Sequence, residues 1–449
     1  MANNRISVSD GVFLNTIYTD KFKTNYLSLN FMTPLRRETA AKNALLFMVL
    51  RRGSKKYPNI AQINEQLQFL YSSSIGTSNY KRGEIHMRVM NSWMLENAFV
   101  PENDDTDVFG DTADMVMDTL FHPLLDPATG VFLNSYVEGE KKSLIDSINA
   151  KINNKGQYAV MKCQQAMCKD EAYGIEESGS IEEVKAITSA ELYEHYKWFM
   201  ANARVEGFLV GRGDSEVLCA KLKDEFSLIK RTPLPEITTD VIRTVSGDMK
   251  DIVEDQPVTQ GKLCLGFRTS KVLSDADYIV FTMMNEVYGG SPSSKLFMNV
   301  REKLSLCYYC HSIPDPFKGT MIVTSGIEVD KKEVALNEIL LQLENIKNGE
   351  ITDAEMSASR NSIRNGYMQI SDSHNSLESW YLGRLLANRT DSPEEAMEKL
   401  DLVTKEQIAE AAKKITLDTV YFLNGTMKPD VSWAEDSAEA AEGENDDEA

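Results

Sequence analysis

The segment Asn25-Tyr26-Leu27-Ser28-Leu29-Asn30-Phe31 alternates apolar and polar side chains with a period of two. Gly261-Lys262-Leu263-Cys264-Leu265-Gly266-Phe267 does the same far downstream. Such alternation specifies a strand with one buried face. Each segment is followed by a polar turn and a strongly apolar helical run, Ala40 to Leu50 in the first case and Tyr278 to Tyr288 in the second. The correspondence extends further along the chain. Ile187-Thr188-Ser189-Ala190-Glu191-Leu192 opens a helical stretch that closes on Phe208-Leu209-Val210-Gly211. Val403-Thr404-Lys405-Glu406-Gln407-Ile408 opens another that closes on Tyr421-Phe422-Leu423-Asn424-Gly425. In both, the Thr is placed to cap the helix. A repeat of roughly 215–235 residues is far longer than a solenoid unit and marks two homologous domains.

The fold class expected is therefore α+β, each domain a mainly antiparallel sheet covered by helices. The domains are placed at residues 1–228 and 240–428, with a linker at 229–239 in which Pro233 and Pro235 stop regular structure. Asn59 is placed to cap a helix with Ile60, Ile63, Leu67 and Leu70 in one apolar stripe. Another helix is expected from about Val131 to Ile148, with Phe132, Tyr136, Val137, Leu144, Ile145 and Ile148 toward the core.

The chain has 449 residues, 42% of them apolar and 26% charged, and its net charge is −20. A field of that sign repels nucleic acid and anionic lipid, so neither is expected as a partner. Residues 429–449 form an acidic tail, expected to be disordered; from Val431 onward it has eight acidic residues and no Lys or Arg. The longest apolar run, Ala44 to Leu50, is too short to cross a bilayer. The N-terminus has no apolar export segment and the six cysteines form no disulfide framework, which points to the cytoplasm. Any histidine-built site must draw on five residues, His86, His122, His195, His311 and His374.

Two segments carry a resemblance. Asn43-Ala44-Leu45-Leu46-Phe47-Met48-Val49-Leu50-Arg51-Arg52-Gly53-Ser54 is similar to the inverted zinc helix of the insulinase/pitrilysin metallopeptidases, with its basic-Gly-Thr/Ser turn. Gly289-Gly290-Ser291, Ser294-Lys295-Leu296-Phe297, Val300-Arg301-Glu302-Lys303 and Leu306-Cys307-Tyr308-Tyr309 resemble that family's glycine-rich loop, Arg-Glu-Lys helix end and apolar-Tyr strand. The resemblance reaches to about residue 428 and implies two insulinase-like domains.

The family's zinc chemistry needs H-x-x-E-H on one helix, because positions i, i+3 and i+4 share a face. The matching positions here are Ala44, Phe47 and Met48. The family's third ligand is a Glu seven residues after another Glu; Glu140 matches the first of that pair and Ser147 replaces the second. All the ligands are absent, so no metal, no cofactor and no catalytic residue are expected. An all-round apolar helix at Ala44–Leu50 suggests that the former cleft is filled by core packing.

Members of the family that work in pairs divide the labour: one carries zinc, and the other supplies an Arg and a Tyr to the substrate backbone. The resemblance implies Arg301 and Tyr308 for that substrate-binding role. It implies as partner an active homologue in a heterodimer, or a second copy, and as substrate a peptide or protein. More narrowly, the chain looks like the zinc-less insulinase-like protein that Gram-positive bacteria pair with an active homologue, associated with 5-aminopentanol modification of elongation factor P. The alternative is a stand-alone clamshell that binds peptides without cleaving them.

Other motifs compete. Cys307-Tyr308-Tyr309-Cys310-His311 spells C-x-x-C-H, but strand alternation sends Cys307 to the face opposite Cys310, so strand packing is preferred to a redox or metal pair. Gly211-Arg212-Gly213-Asp214 reads as a strand end turning on two glycines, and Gly289-Gly290-Ser291 as a flexible loop. Arg36, Arg37, Arg51, Arg52, Lys55 and Lys56 either cluster as a docking patch for an acidic partner or are six solvated side chains.

Overall fold

In the computed structural model, residues 3–245 and 247–427 are described; the acidic tail lies outside them. Strands β1 (Asn4–Ser9), β2 (Val12–Tyr18), β3 (Thr24–Pro34), β4 (Ser74–Arg82), β5 (Ile85–Leu95) and β6 (Arg204–Gly211) form one sheet in the order β1-β2-β6-β3-β5-β4. Strands β7 (Lys250–Gln256), β8 (Gly261–Arg268), β9 (Cys307–Asp315), β10 (Thr320–Ile327) and β11 (Thr416–Gly425) form a second, in the order β7-β11-β8-β10-β9. In each sheet a single pair is parallel, β2 with β6 and β11 with β7, and the other pairs are antiparallel. The repeat is visible in the order itself, since β3 and β8 hold equivalent places beside β6 and β11.

Local chemistry sets the helices. Thr188 caps the Ser189–Asn202 helix and Thr404 caps the Lys405–Ala412 helix, each through a reciprocal pair with the residue three positions on, Glu191 and Gln407. Asn59 accepts from Gln62 N at the start of the Ile60–Phe69 helix, as its spacing predicts, although Ile60 itself is exposed. The expected helix after Val131 begins at Asn134, and Phe132 is buried just ahead of it. Asp214 caps the Ser215–Ser227 helix, while Asn25 Oδ1 accepts from the backbone of Arg212 and Gly213, so the Arg-Gly-Asp run is a strand-to-helix turn. The Gly289-Gly290 pair is not a loop. It ends the wide helical turn Glu286–Gly290, and Leu296–Lys303 is wound the same way.

Alternation in β3 and β8 predicts one buried face, yet both faces of each strand are buried. The reason is an exchange between the halves. The His374–Leu386 helix of the second half packs on the first sheet, where Leu377, Tyr381 and Leu382 meet Ile17, Tyr26, Met32 and Phe208. The Lys155–Met167 helix of the first half packs on the second sheet, where Ala159 and Cys163 meet Cys264, Ile322 and Tyr421. A Cβ at Gly266 would come within 2.9 Å of Met167 Sδ, so the glycine lets that helix lie close.

The polar residues of β3 are satisfied by the exchange. Glu378 accepts from Tyr26 Oη at 2.9 Å, from Asn30 Nδ2 at 2.7 Å and from Ser28 Oγ. Opposite this contact, Lys318 Nζ, fully buried, lies 2.6 Å from Glu84 and 2.7 Å from Glu171. Arg268 joins the cluster through Glu171 at 2.6 Å and Asp418 at 3.0 Å. Lys318, Arg268 and Asp418 come from the second half, and Glu84 and Glu171 from the first.

Removing one member of a buried ionic cluster strands its partners in a low dielectric. Glu171→Ala is expected to cost about 3 kcal/mol in urea unfolding, and adding Lys318→Met is expected to recover part of it.

Candidate functional site

The Arg37–Leu50 helix holds the three degenerate positions. Ala44 and Phe47 are buried and Met48 is half-buried. Phe47 turns into the core, its ring 5.5 Å from that of Phe31 and 5.8 Å from that of Phe199. Ala44 and Met48 instead face a cavity of about 520 Å³, across from Glu140 and Ser147 of the Asn134–Ala150 helix. The expectation of a filled cleft is therefore wrong. Ala44 and Ser147 are too short to occupy the volume between the two helices, Met48 only lines its wall, and Phe47, the bulkiest replacement, points into the core.

Zinc does not fit this cavity. A methyl, a thioether and a hydroxyl stand at ligand positions, and Arg51, Arg52, Arg88 and Lys151 put cationic groups on the walls. Among the described residues no three His, Cys, Asp or Glu side chains gather as a metal site. Burial pushes the Glu140 carboxyl above its usual value, against the pull of Arg52 at 3.4 Å.

Sequence reasoning missed the polar groups behind the helix. Asn43 Nδ2 donates to Thr33 Oγ1 at 3.1 Å and to His86 Nδ1 at 3.0 Å, while Asn43 Oδ1 accepts from His195 Nε2 at 2.7 Å. His86 Nε2 then donates to Asn79 Oδ1 at 2.7 Å. Accepting at Nδ1 and donating at Nε2, the His86 ring carries a single proton and is neutral. Burial favours the neutral form of both rings, pushing His86 down to about 3 and His195 to about 4. Neither residue has a sequence neighbour that announces the network; the packing of the Arg37–Leu50 and Ser189–Asn202 helices on β3, β4 and β5 brings them together.

The expected basic patch divides in two. Arg36 and Arg37 begin the Arg37–Leu50 helix, while Arg51, Arg52, Lys55 and Lys56 follow its end, about 20 Å away at 1.5 Å per residue. Of the six, Arg51 and Arg52 border the cavity.

Arg301 and Tyr308 lie elsewhere, beside edge strand β9. Arg301 sits in the Leu296–Lys303 helix, its guanidinium over the Phe297 ring at 4.5 Å and 3.5 Å from Glu302. Along β9, Cys310 pairs with Ser325 and Tyr309 with Gly326, but Ile327 pairs with Cys307. Tyr308 is thus the extra residue of a β-bulge, and it is 69% exposed. The bulge overturns the expectation that Cys307 and Cys310 face apart. With one residue looped out, their side chains fall on the same face, close enough for each thiol to shift the other's ionisation. Cys310 pulls the Cys307 thiol down to about 7, with help from Arg301, whereas Cys307 and burial push Cys310 up.

Neither Arg301 nor Tyr308 reaches the Ala44–Ser147 cavity. A second cavity of about 870 Å³ opens between the start of the Lys155–Met167 helix and the inner face of the second sheet; Tyr309 and His311 of β9 line it. Lys151 borders the first cavity and Asn153 to Gly156 the second, so one short segment separates them.

A duplicated sheet-and-helix fold with an emptied metal position defines a class, and comparison with known proteins agrees with it. Residues 186–363 match the family model described as the Peptidase M16 inactive domain. The chain is 33% identical over 429 residues to a protein of Bacillus subtilis named "Probable inactive metalloprotease YmfF", a match covering 94% of this chain and 98% of that one. The crystal structure of a conserved protein from Enterococcus faecalis V583 is similar at a TM-score of 0.86 and 29% identity, covering 96% of this chain and 100% of that one. A Pseudomonas fluorescens structure titled as a peptidase M16 inactive domain is similar in fold, with a TM-score of 0.77, 18% identity and the same coverage. The chain belongs to the M16, or insulinase, peptidase family. No helix among its described residues is long and apolar enough to cross a membrane.

Two outcomes follow from the local chemistry. Cys307 is half-buried and the other five cysteines are buried, so iodoacetamide at pH 8 is expected to label Cys307 at least about tenfold faster, read by peptide mass spectrometry. His86 and His195 bind protons in the unfolded chain near pH 6.5 but in the folded one only near 3 and 4. Their stabilisation is complete above pH 6.5 and declines as pH falls toward 4, by about 1.4 kcal/mol per pH unit for each ring. Urea titrations between pH 7 and 5 should show that slope, and His86→Asn should reduce it.

Proposed function

We propose that this chain is the non-catalytic subunit of a cytoplasmic two-subunit M16-type peptidase. It pairs with a zinc-bearing homologue and holds the peptide substrate through Arg301 and Tyr308. The observation that carries this reading is the bulge at Tyr308. The bulge leaves its phenol exposed, one residue from Cys307, whose thiol feels the Arg301 guanidinium. A guanidinium and a phenol are both donors, and both can meet a peptide carbonyl as it gains negative charge. The absence of every zinc ligand leaves bond cleavage to the partner. By the same family resemblance, we assign the pair to the processing that accompanies 5-aminopentanol modification of elongation factor P.

Co-expression with the zinc-bearing homologue from the same genome tests this. The expected result is a 1:1 complex in light scattering whose peptidase activity falls roughly ten- to a hundredfold with Arg301→Ala and several-fold with Tyr308→Phe. Failure to associate, or activity indifferent to both substitutions, refutes it. A monomer or homodimer that binds peptides without the homologue supports the stand-alone clamshell instead.

A further inference from the structure

Arg88, on β5, is 2% exposed and projects from the first sheet toward the Arg37–Leu50 helix. Among the described residues it makes neither a hydrogen bond nor an ion pair, and its Nε is buried without a partner. Its one contact of consequence is the Phe47 ring, whose centroid is 4.8 Å from the guanidinium carbon. Its neighbour across the β4 pairing, Asn79, is already engaged with His86 and with the carbonyl of Glu177. The two carboxylates on the cavity wall are engaged as well, Glu140 with Arg52 at 3.4 Å and Glu177 with Lys81 at 3.8 Å.

A buried, uncompensated charge is costly, and native proteins seldom keep one. Arg88 is also not sealed in core, because it lines the cavity bounded by Ala44, Met48 and Ser147. The cavity thus holds a fixed positive charge with free donors, at the place where active relatives hold a metal ion. We propose that this cavity is a receptor for a peptide carboxylate, which Arg88 binds through its unengaged N–H groups. A planar, bidentate donor matches a carboxylate in both charge and shape. Arg51, which follows the helix at the cavity mouth, adds to the field that draws the anion in. The choice of a peptide as carrier rests on the peptide-binding reading above; the carboxylate site itself does not need the partner subunit or Arg301.

The test uses the full chain alone, titrated calorimetrically with three probes: N-acetyl-trialanine as the free acid, the same peptide as its amide, and N-acetyl-Ala-Glu-Ala-amide. The free acid is expected to bind at least tenfold more tightly than the amide. If the Glu peptide binds as well as the acid, any peptide carboxylate is accepted; if it binds like the amide, the site takes C-termini. Arg88→Met is expected to abolish the preference while raising the urea midpoint, because it removes an unpaired buried charge. Met48→Glu, which places a carboxylate inside the cavity, is expected to do both as well. No binding of any probe, equal affinity for acid and amide, or an unchanged preference in both variants overturns the proposal. None of these results depends on whether the chain associates with a zinc-bearing homologue, so the two readings fail separately.

Discussion

Each half of this chain builds a sheet it cannot cover by itself, and each lends a helix to the other. The His374–Leu386 helix closes the inner face of the first sheet, and the Lys155–Met167 helix closes that of the second. Apolar burial supplies most of the driving force, but the register of the exchange is fixed by ions. Glu378 is held by three donors on β3, and Lys318 and Arg268 are held by Glu171 across the boundary. A buried carboxylate is tolerable only where such donors stand, so a slide of either helix by one turn would leave charges unpaired. This constraint fixes where edge strands β4 and β9 lie, and both cavities open along those edges.

The same logic makes Arg88 conspicuous. Among the described residues, the other buried Lys and Arg side chains come with carboxylates: Lys318 with two, Arg268 with two, Arg384 with Asp391 at 3.1 Å. Burial depresses Arg88 to about 9, which still leaves it charged at neutral pH. In the carboxylate reading proposed above, a guanidinium takes the part that a metal ion plays as the cation of a peptidase site. Zinc needs nitrogen and carboxylate ligands to neutralise it, whereas a guanidinium offers hydrogen bonds and no Lewis acidity.

Much of the fold was legible in the sequence because it rests on local signals. Thr188 and Thr404, each three residues before Glu or Gln, mark equivalent helix starts, and the alternation around Tyr26 and Leu263 marks equivalent strands. The failures share one cause, which is that tertiary context changed the meaning of a correctly read local pattern. Ser28 and Asn30 look solvent-facing until Glu378 arrives from the other half. Cys307 and Cys310 alternate apart until a bulge removes Tyr308 from the count. Ala44 belongs to an all-apolar run, yet its small size opens a cavity that composition cannot reveal. Arg88 lies in a strand with no motif around it, and the network joining Asn43, His86 and His195 spans three distant segments.

The helix exchange also orders events in time. The last strand of the first sheet ends at Gly211, and the helix that covers its inner face begins at His374. Synthesis at about 5–20 residues per second separates the two by on the order of ten to thirty seconds. During that interval the face carrying Ile17, Tyr26, Met32 and Phe208 lacks the Leu377, Tyr381 and Leu382 side chains that cover it in the finished fold. The nascent first half is a client for whatever holds apolar surfaces near the ribosome, and its maturation waits on the far end of its own message.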